Sequence, residues 1–133
     1  MSDCIFCSII KGKIPSSKIF EDDIVYSFLD INPASKGHLL VVPKRHIESL
    51  NDLTDEEFVS IFSCIKKITN ALPKAVENSG FNLLMNMGKD AGQIIPHIHF
   101  HIIPRRKEDG LSISKWSFMK FSGILNSFAQ ERI

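Results

Sequence analysis

Between Pro96 and Pro104 the chain reads Pro96-His97-Ile98-His99-Phe100-His101-Ile102-Ile103-Pro104, which puts three of its five histidines at alternate positions of a β-prone run. Successive side chains of a strand point to opposite faces, so His97, His99 and His101 share one face and Ile98, Phe100 and Ile102 the other. One face belongs to a core and the other to chemistry. Near neutral pH imidazole is a nucleophile, a general acid or base and a metal ligand. Three readings follow: a histidine face that only hydrogen-bonds inside a core, a catalytic zinc held by the His-x-His-x-His set, or a histidine nucleophile flanked by helpers. Strand spacing alone does not separate the last two.

The chain has 133 residues, 44% of them hydrophobic, enough for one domain with a sizeable core and too few for two. Sixteen basic residues stand against fifteen acidic ones. The densest basic clusters are Lys44-Arg45 and Arg105-Arg106-Lys107, which argues against nucleic acid or an anionic membrane as the main partner. The start, Met1-Ser2-Asp3-Cys4-Ile5-Phe6-Cys7, has no basic leader and no long apolar run, so the expectation is a cytoplasmic protein. In a reducing compartment Cys4-x-x-Cys7 suggests metal or redox chemistry more than a structural disulfide.

Ile5 to Ile10 has helix-like apolar spacing and stops at Gly12, with Pro15 beyond it. Lys18 to Phe20 and Val25 to Ile31 flank the acidic turn Glu21-Asp22-Asp23 and read as a hairpin, which Asn32-Pro33 ends. His38-Leu39-Leu40-Val41-Val42 is a third strand closed by Pro43. Thr54-Asp55-Glu56-Glu57 fits a capping box, and Phe58, Ile61, Phe62, Ile65, Ile68 and Leu72 then recur with helical period. Pro73 should end or kink this helix, unless Ala75 and Val76 prolong it, and Cys64 within it reads as a buried filler. Phe81 to Met87 is a fourth strand, joined by Gly88-Lys89-Asp90-Ala91-Gly92 to the histidine strand as an antiparallel neighbour. The expected class is α+β, a five-stranded antiparallel meander with one long helix and a short N-terminal one. Ser114 to Ala129, carrying Trp116, Phe118, Met119, Leu125 and Phe128, reads as a further helix weakened by Gly123.

His97-Ile98-His99-Phe100-His101-Ile102-Ile103 resembles the His-φ-His-φ-His-φφ signature of the histidine triad (HIT) family of nucleotide-binding proteins. The likeness extends to Cys4-Ile5-Phe6-Cys7, Pro15, Glu21-Asp22, Phe28-Leu29-Asp30, Gly37 to Lys44, His46, Gly80-Phe81-Asn82-Leu83, Asn86 and Gly88-x-x-Ala91-Gly92-Gln93. Residues 4–105 are covered, leaving 106–133 as a variable tail of a single domain. The nearest branch is the bacterial type, with its phosphoramidase-like members and an N-terminal Cys-x-x-Cys.

The resemblance implies that His99 attacks the α-phosphorus of a purine nucleoside phosphoramidate, or a related adduct of AMP, and that water cleaves the nucleotidyl-histidine formed. It gives His101 the phosphate and leaving group, makes His38 the remaining active-site histidine, and places Gln93 on the leaving-group side and Asn86 near the phosphate. Asp30 would take the ribose hydroxyls, with Phe6, Ile9, Phe28, Ile31 and Leu40 around the base. Read singly, Phe28 and Leu40 are core residues and Asp30 caps a turn. Cys4, Cys7, His46 and His97 resemble a closed structural zinc site that would pin the N-terminal helix to the histidine strand, with a redox dithiol as the competing reading of the cysteines. No organic cofactor is implied, and the family assembles as a homodimer through joined sheets. Ile94 departs from relatives that carry serine, threonine or glutamate there, because it cannot donate a hydrogen bond to phosphate. Trp116 would help shape the leaving-group side across a dimer interface. The alternatives are a dinucleoside polyphosphate hydrolase, a zinc-stabilised nucleotide- or partner-binding module without turnover, and a metalloenzyme using the three strand histidines.

Overall fold

Asp22 closes the first hairpin: its Oδ1 accepts the N–H groups of Ile24 and Val25, both at 2.8 Å, and its own N–H donates to the Val25 carbonyl at 3.0 Å. In the computed structural model, which describes residues 4–112, this turn joins β1 (Lys18–Glu21) to β2 (Val25–Leu29). Ahead of them lies α1 (Ile5–Ile10), and behind them β3 (Leu39–Pro43), α2 (Asp55–Ala75), β4 (Gly80–Leu84) and β5 (Phe100–Arg105).

The strands form the expected five-stranded antiparallel sheet, in the order β1-β2-β3-β5-β4. Only the last two strands depart from a strict meander. The α2 crossover carries the chain two strand positions beyond β3, and β5 folds back from β4 into the slot between them. Leu40 and Leu84 therefore flank His101 from the two neighbouring strands.

Alternation sorts the sheet residues into two clusters. Val25, Leu39, Val41, Ile98, Phe100 and Ile102 pack against Ile61, Cys64, Ile65, Ile68 and Leu72 of α2. Tyr26, Phe28, Leu40 and Val42 pack against Cys4, Phe6, Cys7 and Ile9 around α1. The histidine face is the α1 side.

The regular strand begins at Phe100 rather than His97. The reason lies in the backbone: the N–H of His97 goes to the Ile95 carbonyl and that of Ile98 to the Ile47 carbonyl, both at 2.8 Å, outside the ladder. The alternation of faces survives, because Ile98 still joins Phe100 and Ile102 in the α2 cluster.

Helix α2 starts with the expected reciprocal cap: Thr54 Oγ1 accepts the Glu57 N–H at 3.0 Å and Glu57 accepts the Thr54 N–H at 2.9 Å. Pro73 neither ends nor shortens it; the helix runs to Ala75 and closes with the Val76 N–H on the Leu72 carbonyl at 3.0 Å. Proline there deletes one helical bond, the one its amide would have donated to a carbonyl of the preceding turn, and only two helical residues follow it. Cys64 is buried filler, and burial pushes its thiol up to about 11. The expected helix over 114–129 lies outside the described residues, as does Trp116. Among the described residues, no helix is long and apolar enough to cross a membrane.

Candidate active site and metal centre

Five histidines converge on the α1 side of the sheet, four of them almost wholly buried: His38, His97, His99 and His101. Their partners decide where each proton sits. The His99 Nδ1 lies 2.8 Å from the His97 carbonyl, which can only accept, so Nδ1 carries the hydrogen and the neutral ring has its lone pair on Nε2. His38 is held in the opposite sense. The Ala34 N–H donates to its Nδ1 at 2.9 Å, which places the proton on Nε2. That Nε2–H faces His101 Nδ1 at 3.0 Å and Asp30 Oδ2 at 3.5 Å. Neutral His101 then accepts at Nδ1 and carries its own proton on Nε2. One buried face thus presents a lone pair at His99 and a ring N–H at His101, with ring centroids 5.0 Å apart.

Asp30, His38 and His101 bring three potential ligand atoms within 4.8 Å of one another. The Ala34 bond disqualifies them as a metal centre: with Nδ1 accepting from a peptide, His38 Nε2 keeps its proton and has no lone pair to give.

The residues expected around a base are brought together with one exception. Phe6, Ile9, Phe28 and Leu40 are buried in one cluster, Phe6 meeting Phe28 edge-on at 5.5 Å and His99 at 5.1 Å. Ile31 lies outside it, 84% exposed. Asp30 serves both of its readings: Oδ1 caps the turn by accepting the Asn32 N–H at 2.9 Å, while Oδ2 turns to His38. The Gln93 amide is engaged with its own loop, accepting the Gly88 N–H at 2.8 Å and donating to the carbonyls of Ile95 at 3.2 Å and Glu48 at 3.4 Å. Asn86 is half-buried in the segment after β4, and Ile94 is 62% exposed.

Beside this face, Cys4, Cys7, His46 and His97 form a second cluster, their ligand atoms within 4.8 Å of one another. His97 Nδ1 lies 3.4 Å from Cys4 Sγ and 3.6 Å from Cys7 Sγ, and His46 Nδ1 lies 3.4 Å from Cys7 Sγ. Zinc–sulfur bonds of about 2.3 Å and zinc–nitrogen bonds of about 2.0 Å at a tetrahedral angle imply a sulfur–nitrogen edge of about 3.5 Å. The donor set therefore fits zinc in both chemistry and spacing. Each imidazole is anchored at its other nitrogen, His97 Nε2–H to the Pro43 carbonyl at 2.8 Å and His46 Nε2 to Glu48 at 3.1 Å, which turns both Nδ1 lone pairs toward the thiols. Burial pushes His97 down to about 4 and so keeps it neutral, as a ligand must be. Burial and the neighbouring Cys4 raise the Cys7 thiol, a penalty that a bound cation reverses.

Four groups escaped the sequence reading: Glu48, the Pro43 and His97 carbonyls and the Ala34 N–H. Glu48 stands two residues from His46, a weak local signal. The other three are backbone groups, and no residue type announces them.

The HIT domain family model matches residues 11–108. Adenosine 5'-monophosphoramidase hnt1 of Schizosaccharomyces pombe is 45% identical over 111 residues, covering 83% of this chain and 80% of that protein. Among solved structures, a HIT-family member from Bacillus subtilis superposes with a TM-score of 0.78 at 48% identity, over 83% of this chain and 79% of that one. A zinc-bound histidine triad family protein from Mycobacterium smegmatis superposes with a TM-score of 0.79 at 32% identity, over 98% of each chain. With its histidine face and Cys-x-x-Cys in the places described, this chain belongs to the HIT family.

Proposed function

We propose that the protein is a nucleotide-directed hydrolase that cleaves purine nucleoside phosphoramidates, or related AMP adducts, through a covalent intermediate on His99. The observation that carries this reading is the bond from His99 Nδ1–H to the His97 carbonyl, which places the lone pair of the neutral ring on Nε2. The Nε2 lone pair attacks the α-phosphorus, a nitrogen–phosphorus bond forms, and the bond to the leaving amine breaks. His101 Nε2–H supplies a proton or a hydrogen bond to the leaving group, backed by His38 Nε2–H on its Nδ1. Water then attacks the same phosphorus, releasing AMP and restoring His99.

Asp30 would turn one carboxylate oxygen to the ribose hydroxyls, and Phe6, Ile9, Phe28 and Leu40 would wall the base. Asn86 would approach the phosphate. Gln93 would act on the leaving-group side by holding the loop that carries Ile94. Cys4, Cys7, His46 and His97 would bind zinc as a closed structural site. Stable thiolates suit the cytoplasm, and the working assembly is a homodimer with joined sheets. The relative named as an adenosine 5'-monophosphoramidase supports the substrate class. Dinucleoside polyphosphates fit the same attack on an α-phosphorus.

The deciding experiment measures AMP release from adenosine 5'-phosphoramidate by the zinc-loaded protein and by a folded His99→Asn variant, with and without chelator in the assay. Release that survives brief chelation and disappears in the variant is the expected result. Release that stops with the metal and returns on adding it would instead support catalysis at a metal. Tight AMP binding without release would make this a binding module, a reading that exposed, donor-free Ile94 favours.

A further inference from the structure

We infer that Phe6 is a positioning residue for His99, and that its grip on the nucleophile is set by the two metal-ligand cysteines on either side of it. This rests on His99 being the nucleophile. Phe6 sits between Cys4 and Cys7 in the chain, and its ring is 4% exposed. It meets three rings edge-on: His99 at 5.1 Å and 78°, His97 at 5.7 Å and 79°, and Phe28 at 5.5 Å and 69°. One benzene ring thus touches both a metal ligand and the reacting imidazole.

Two restraints act on the His99 ring. The His97 carbonyl holds one edge through Nδ1–H, and Phe6 packs against the ring itself. A flip of the imidazole would break the hydrogen bond and put the Cε1–H carbon where Nε2 stood, leaving no nucleophile facing phosphorus; the edge-on contact with Phe6 opposes that rotation.

What keeps Phe6 there is not helix propensity. Helix α1 has six residues, with no acidic side chain in its first turn and no basic one in its last, far below the length at which a helix stands alone. Its fixed points are the buried Phe6 and Ile9 and the two cysteines, Cys4 also capping the helix through the Cys7 N–H at 3.4 Å. A metal that joins Cys4 and Cys7 to His46 and His97 clamps the loop that carries Phe6. It also clamps His97, whose carbonyl holds His99. Metal occupancy then governs nucleophile alignment through two adjacent links.

The test compares zinc-loaded wild type, metal-stripped wild type, Phe6→Leu and Phe6→Tyr, with zinc content and folding measured for each. Nitrogen-15 NMR of the His99 ring reads its tautomer, and steady-state kinetics on adenosine 5'-phosphoramidate separates kcat from KM. The expected result is a single Nδ1–H tautomer in loaded wild type and Phe6→Tyr. Phe6→Leu and the stripped protein show mixed tautomers, and Phe6→Leu, with its zinc retained, loses about tenfold in kcat. Re-adding zinc restores the single tautomer in the stripped protein. An unchanged kcat with a raised KM in Phe6→Leu would reduce Phe6 to a wall of the base pocket and overturn the inference, as would an unaltered His99 tautomer in both altered samples. Turnover persisting in His99→Asn would defeat the nucleophile reading instead, while the tautomer spectra would still judge the clamp.

Discussion

A β-carbon on Gly37 would stand 2.8 Å from Cγ2 of Val76, closer than packed carbons approach, and 3.3 Å from Cγ of Pro104. Gly37 also has a φ of +88°, where any other residue is strained. The pinch between the end of α2 and β5 therefore fixes the backbone immediately before His38. Gly37→Ala is expected to lower stability by about 2 kcal/mol, measured by urea unfolding. It should also weaken AMP binding beyond what a mere loss of stability produces, because His38 moves with the strain. A variant as stable as wild type would show that Val76 gives way freely.

Metal removal is expected to lower thermal stability sharply, since the four ligands tie α1, the segment after β3 and the approach to β5 into one point. Cys7→Ser, or exhaustive chelation, should reduce the melting temperature by on the order of 10 °C, with zinc restoring wild type but not the variant. Scanning calorimetry with and without added zinc checks this. Equal melting temperatures with and without metal would remove the site's structural role.

The Arg45–Glu57 pair predicts a pH dependence of stability. Arg45 donates from Nε and Nη2 to the Glu57 carboxylate, both bonds at 2.9 Å, and holds that carboxyl down to about 2 from its ordinary 4.5. A carboxyl whose folded value is depressed stabilises the fold above its unfolded value. Its contribution therefore stands in full above pH 4.5 and disappears as pH falls toward 2. With the Arg45 side chain 53% exposed, solvent screens the pair, and its worth is about 1 kcal/mol. Glu57→Gln should cost that amount at pH 7, together with part of the Thr54 cap, and should flatten the acid limb between pH 4.5 and 2 in denaturant titrations.

Ile94 sets up a gain-of-function measurement. Its aliphatic side chain is exposed on the segment between Gln93 and the histidine run and offers no donor. Ile94→Ser is expected to raise kcat/KM for adenosine 5'-phosphoramidate by roughly tenfold, the lower end of what one hydrogen bond to a charged group contributes. Stopped-flow detection of AMP release checks it. An unchanged rate would mean that position 94 does not reach the phosphate.

Local pattern carried much of this protein. Alternation alone separated the histidines from Ile98, Phe100 and Ile102, and the structure keeps that separation even where His97 leaves the ladder. The Thr54–Glu57 cap, the acidic turn at Asp22 and the stripe of α2 were legible because each depends on residues a few positions apart. The types of the four metal-fitting residues stood in the chain as well.

Long-range geometry decided the rest. Placing β5 between β3 and β4 depends on which edge the α2 crossover reaches, and no short window of residues encodes that. The proton positions at His38 and His99 are set by a peptide N–H at Ala34 and a carbonyl at His97, backbone groups that do not depend on the side chain. The sequence by itself thus determined which faces are apolar, where the main elements lie and which side chains have chemistry to offer. Only the tertiary structure decided which nitrogen of each ring carries the proton, because that depends on which backbone groups folding brings beside it.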